Sequence, residues 1–177
     1  YTHNSTAIVL KTRDGGRHWV RTDKTLLPSL KRIKMFDSEN GWALGDSSPL
    51  FPPGLFQTVN GGRTWSTIRE GTPGHWLTGD FYDPAGGLVA GHDGSLAIAS
   101  RQILAPVQHT GYGLRHFRSV RLTGPATGWL VGDGGLILTT LDGGRTWQLA
   151  GESLERATLE LFDFKTVAIS EDHCWIA

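Results

Sequence analysis

Lys31, Arg32 and Lys34 alternate with Ile33 and Met35, and Arg115, Arg118 and Arg121 recur at a comparable place further along the chain. Counted back seven residues from the Gly41-Trp-Ala-Leu-Gly-Asp46 and Gly128-Trp-Leu-Val-Gly-Asp133 strings, Lys34 and Arg121 occupy equivalent positions. Equivalent positions on strands of one type point the same way, so Arg32, Lys34, Arg118 and Arg121 are expected to form a basic face that clamps carboxylates of an anionic partner. The competing reading of these residues is a solvated strand edge kept soluble by charge. Other residue types offer less. Asp80 and Asp83 could face a central cleft, but turn-capping is the commoner role for such acids, and nothing in the sequence singles out a carboxylate pair. The histidines (His3, His18, His75, His92, His109, His116 and His173) show no zinc-binding spacing, so no metal or cofactor is expected.

The elements that hold these residues are announced by an octapeptide present three times: Thr12-Arg-Asp-Gly-Gly-Arg-His-Trp19, Thr58-Val-Asn-Gly-Gly-Arg-Thr-Trp65 and Thr140-Leu-Asp-Gly-Gly-Arg-Thr-Trp147. Its tryptophans lie 46 residues apart and then 82, twice 41, so one unit lacks its copy. Within a unit the order of signals repeats. Phe117–Leu122 alternates as a half-buried strand, Trp129–Val131 and Leu136–Thr140 follow as strands, and the box turns the chain into a fourth near Trp147–Leu149. The paired glycines suit a tight turn with positive φ, and Asp14, Asn60 and Asp142 supply oxygens that accept the turn's own N–H groups. Trp19, Trp65 and Trp147 are expected to bury their rings between neighbouring units.

Four short antiparallel strands in about 41 to 46 residues describe one blade of an all-β propeller. The chain is thus expected to be a single propeller domain or segment of about four blades. Partial blades at 1–22 and 159–177 flank full ones at about 29–67, 75–112 and 116–149. The complementary termini either close a four-bladed ring or belong to a six- or seven-bladed one. The middle unit, which passes from Leu96-Ala-Ile-Ala99 into residues 100–109 without a box, should have a remodelled outer hairpin. Residues 47–54, rich in proline, should project as a loop that either docks a partner or packs locally. Residues 150–158 suit a short helical turn.

Composition narrows the functional classes. Net charge is zero with 19% charged residues, which gives little support to a nucleic-acid partner. The single cysteine, Cys174, excludes an internal disulfide. No run approaches the roughly 20 apolar residues of a membrane-spanning helix. Without a leader pattern and opening on Tyr1, the chain is expected to be processed, trimmed or partial.

The box resembles the Ser/Thr-x-Asp-x-Gly-x-Thr-Trp pattern of Asp-box (bacterial neuraminidase repeat) propellers. Together with the Gly-Trp-x-x-Gly-Asp string, its wording is similar to the photosystem II stability and assembly factor family, over nearly all of the chain except a weak stretch at 95–115. That resemblance implies a non-enzymatic scaffold, peripheral to a membrane on its extracytoplasmic side (periplasm or thylakoid lumen), binding subunits of photosystem II or a related reaction centre. The alternative it raises is a sialidase- or xyloglucanase-like glycoside hydrolase or its non-catalytic remnant. Against that alternative, the sialidase Phe-Arg-Ile-Pro signature is missing, the nearest string being Phe117-Arg-Ser-Val120, and only Tyr1, Tyr82 and Tyr112 are available as tyrosine nucleophiles.

Overall fold

The structure, a computed structural model, describes residues 6–22, 26–71, 73–108, 111–151, 153–171 and 173–177. Tyr1, His3, Asn4 and His109 lie outside the described residues. The first segment forms β1 (Thr6–Ala7), β2 (Leu10–Lys11), β3 (Val20–Arg21) and β4 (Leu27–Pro28), with β1 paired to β4 and β2 to β3. A four-stranded antiparallel meander follows in β5 (Leu30–Met35), β6 (Asn40–Gly45), β7 (Leu55–Val59) and β8 (Ser66–Thr67).

The middle sheet begins with β9 (Glu70–Gly71), then β10 (Trp76–Asp83), β11 (Gly86–Gly91), β12 (Leu96–Ser100) and β13 (Ile103–Pro106). Here the missing box has a visible consequence. The outer edge of β13 is covered by β9, which runs parallel to it from the connection before the sheet. The next meander is β14 (Phe117–Leu122), β15 (Gly128–Gly132), β16 (Leu136–Thr140) and β17 (Gln148–Leu149). One helical turn, α1 (Arg156–Leu159), leads to the hairpin of β18 (Val167–Ser170) and β19 (His173–Ile176). Among the described residues no ladder joins this hairpin to β1–β4.

The second strand of each unit is buried on both faces, so its alternating side chains enter two different seams. From β6, Ala43 packs with Val9, Leu27, Phe56 and Trp65, while Trp42 and Leu44 join Trp76, Phe81 and Val89 of the middle sheet. Trp42 stacks on Phe81 with ring centroids 5.0 Å apart and planes 2° from parallel. From β11, Leu88 and Ala90 turn the other way, toward Phe117, Leu130 and Trp147.

All three boxes fold alike. The threonine hydroxyl accepts the N–H of the second glycine at 2.9 Å in each copy, from Gly16, Gly62 and Gly144. It donates to Asp14, Asn60 or Asp142 at 2.8, 3.1 and 2.9 Å, and that oxygen accepts the N–H four residues on. Gly144 has φ +87° and lies against the preceding sheet, where a Cβ would stand 2.5 Å from Leu88. The indoles differ. Trp65 and Trp147 are buried against the preceding unit, whereas Trp19 is 57% exposed, contrary to expectation. Its local turn is intact, with Nε1 donating to the Gly16 carbonyl, but no preceding sheet covers it among the described residues.

Trp147→Ala should cost about 3–5 kcal/mol in urea unfolding and Trp19→Ala under about 1 kcal/mol, because only the first opens a cavity. The Thr146 hydroxyl and amide hold Asp142 at about 2, below the ordinary 3.8, and the His18 amide and ring do the same for Asp14. Depressed carboxylates stabilise the fold above their unfolded value, and the benefit fades as pH falls from about 4 to about 2. Replacing both by Asn, the natural residue at position 60, should flatten the acid end of the stability profile while preserving the turns.

Candidate functional site

Asp80 sits at the middle sheet's counterpart of Lys34 and Arg121: it pairs with Leu88 as Lys34 pairs with Trp42 and Arg121 with Trp129. Only 3% exposed, its carboxylate is approached from both sides. From β5, Arg32 and Lys34 reach one oxygen at 3.3 and 3.1 Å. From β14, the Leu122 N–H donates to the other at 2.9 Å. Arg121 lies near enough that its charge, after burial itself, lowers the proton affinity of Arg32, while Asp80 opposes the shift. The inner strands β5 and β14 thus bring Arg32 and Lys34 onto the Asp80 carboxylate of β10 and Arg121, whose guanidinium donates to the Val120 carbonyl, within electrostatic range of Arg32, a local surplus of positive charge. The side chains of Arg32 and Lys34 are 29% and 34% exposed, so the ends of this cluster reach solvent.

The inner strands hold together through side chains rather than ladder bonds. Thr78 accepts the N–H of Val120, and Ser119 accepts the N–H of Val167, both at 3.3 Å. These positions match Arg32 two residues before the Lys34, Asp80, Arg121 series. Asp80 and the two hydroxyls therefore satisfy buried backbone donors that a sheet edge would leave bare.

Arg118 stands apart from this cluster. A bulge at the start of β14 turns it toward Asp133, which it grips bidentately at 2.7 and 2.8 Å, with Lys165 adding a contact at 3.4 Å. The arginine's hydrogen bond is the leading cause holding Asp133 below the usual carboxylate range. Lys31 does the same in its own sheet, at the bulge of β5, pairing with Asp46 at 2.9 Å. Asp46 and Asp133 are the final acids of the two Gly-Trp strings, each fifteen residues after its cation. That spacing was a readable signal of the pairing. In the middle sheet both partners are replaced together, by Leu77 and His92.

The remaining candidates have local partners. Asp83 accepts the N–H groups of Ala85 and Gly86 at the β10–β11 turn, and so does not form an acid pair with Asp80. Tyr112 donates its hydroxyl to the Trp147 carbonyl at 2.6 Å, and Tyr82 is exposed. Arg115 donates to the Gly134 carbonyl and lies 3.9 Å from Glu160. Among the described residues no group of three or more histidine, cysteine or acidic side chains is disposed to hold a metal ion. No helix is long and apolar enough to cross a membrane.

Successive four-stranded antiparallel meanders, the middle one edged by the parallel β9, stacked through their second strands with inner strands converging on shared side chains, are the architecture of a β-propeller. Among solved structures, the chain is similar to YCF48 from Cyanidioschyzon merolae, with a TM-score of 0.70 and 14% identity over 96% of this chain and 60% of that one. It is similar also to YCF48 in a complex described as bound to D1 peptide, with a TM-score of 0.50 and 16% identity over 96% of this chain and 67% of that one. An ancestral GH74 enzyme matches more locally, with a TM-score of 0.54 and 13% identity over 76% of this chain and 20% of that one. The chain therefore spans about 60% of the length of the first of these propellers. No family model matches the sequence, and neither does any curated protein.

Removing the Asp80 carboxylate would leave Arg32, Lys34 and Arg121 facing one another and the Leu122 N–H without its acceptor. Asp80→Ala should lower stability by about 3 kcal/mol in chemical unfolding, whereas Lys34→Met, which removes one cation from a crowded group, should cost under about 1 kcal/mol.

Proposed function

We propose that this chain is a non-enzymatic Asp-box (bacterial neuraminidase repeat) propeller that binds protein subunits of a membrane complex, docking an acidic segment on the cation cluster of its inner strands. The observation that carries this reading is the surplus itself: Arg32, Lys34 and Arg121 converge where Asp80 offers a single carboxylate. A partner carboxylate entering there gains charge-assisted hydrogen bonds from cations already held in place. Arg118, neutralised by Asp133, lies outside the proposed contact.

Its likeness to a propeller described as bound to D1 peptide favours an assembly or stability factor for photosystem II or a related reaction centre. In that role the protein is peripheral to the membrane on its extracytoplasmic side, in a periplasm or thylakoid lumen, and needs no cofactor. The GH74 likeness supports a second reading, a glycoside hydrolase or its non-catalytic remnant. The engagement of Asp80 by cations and of Asp83 by a turn weighs against it.

The test is fluorescence anisotropy with a labelled peptide of the D1 segment bound in that complex. Wild type should bind saturably, and the Lys34→Met/Arg121→Met variant about tenfold or more weakly with its fold retained by circular dichroism. Equal affinity would remove the cluster as the site. No binding by wild type would withdraw the photosystem partner, and β-glucan hydrolysis abolished by Asp80→Asn or Asp83→Asn would favour the hydrolase.

A further inference from the structure

We propose that a groove beyond the N-terminal ends of the inner strands binds a second, distinct ligand: an extended peptide with a large apolar side chain next to a carboxylate, held more tightly as pH falls. The inserted loop 47–54 forms one wall. Ser47 donates to the Gly74 carbonyl at 2.6 Å, the Trp76 indole donates to the Pro53 carbonyl at 2.9 Å, and Phe51 packs edge-on against Phe56. The loop is therefore fixed to its neighbours, yet it leaves Leu50 82% exposed on the groove, and Leu26, also lining it, is 72% exposed. The groove has a volume of about 930 Å³, room for a few residues of peptide.

Its polar end carries the charge argument. Lys31 and Asp46 neutralise each other there, so the groove's variable charge comes from His75 and His92. Their rings lie 6.4 Å apart, and His92 meets His116 of the next sheet edge-on at 4.7 Å. His116 accepts the Asp93 N–H through Nδ1 at 3.1 Å, and the Asp93 carboxylate lies 3.8 Å from the same nitrogen. The other charged groups around these rings already have counterparts: Asp133 has Arg118 and Lys165, and Arg115 faces Glu160.

Imidazoles ordinarily gain charge between roughly pH 8 and 5. Once charged, His75 and His92 face a groove whose one acid among the described lining residues, Asp46, is already paired, so a partner's carboxylate is the complementary group. The middle sheet has exchanged a self-neutralising ion pair for this property, since His92 occupies the place of Asp46 and Asp133, and Leu77 that of Lys31 and Arg118.

The probes are fluorescein-labelled Gly-Leu-Phe-Glu-Glu and Gly-Leu-Phe-Gln-Gln, titrated at about pH 7.5 and about pH 5.5 with circular dichroism confirming the fold at both. The acidic peptide should bind about tenfold more tightly at the lower pH, and the glutamine peptide should change under about twofold. The His75→Gln/His92→Gln variant should lose the pH dependence, and Leu50→Ser should weaken both peptides about fivefold. Binding that ignores pH, equal tightening of the glutamine peptide, or no binding of either overturns the proposal. So does loss of binding in Lys34→Met/Arg121→Met, which would move the peptide to the cation cluster. A dimer in sedimentation that Leu50→Ser dissolves would overturn it too, by assigning the groove to a second copy.

Discussion

A strand buried on both faces is the constraint from which the rest of this molecule follows. Because Ala43 and its neighbours Trp42 and Leu44 enter different seams, no sheet can bury its apolar surface alone. Successive seams use different side chains, a Trp42–Phe81 stack in one and Leu88 against Trp147 in the next, but the geometry is the same. At the N-terminal sheet the apolar face is uncovered: Trp19, Leu10 and Val20 are all more than half exposed.

Charge serves the inner strands as apolar packing serves the middle of each sheet. These strands lie close without a shared ladder, and their N–H groups need acceptors that side chains supply. Thr78 and Ser119 do this without charge, whereas Asp80 does so as a buried anion that must be balanced by Arg32 and Lys34. The cation cluster is thus involved in joining the sheets. The binding proposed there and the cohesion of three successive sheets share the same groups.

Much of this was readable in the residues, for physical reasons. A turn needing two glycines at positive φ, a hydroxyl before an acid or amide, and an indole after them leaves little freedom, so three copies fixed the order of strands. The direction of Lys34 and Arg121 followed from counting, since strand geometry makes equivalent positions parallel. Arg118 was less legible, because a bulge adds a residue and rotates the side chain out of the alternating pattern. Asp80 looked like a possible acid because counting cannot show that cations from a strand 46 residues earlier will meet it. The exposure of Trp19 depends on what lies against it, which the box itself does not encode.

The parallel contact between β9 and β13 has a consequence for how the chain divides. Glu70–Gly71 precede the middle unit yet complete its outer edge, beyond Ile103–Leu104. The segment that in a regular repeat would only connect two modules here clasps the later one from behind. Repeat boundaries and folding boundaries therefore do not coincide at this place. A cut between residues 67 and 76 would strip an edge strand from one module instead of separating a pair of independent ones, which makes this the least modular joint in an otherwise iterated array.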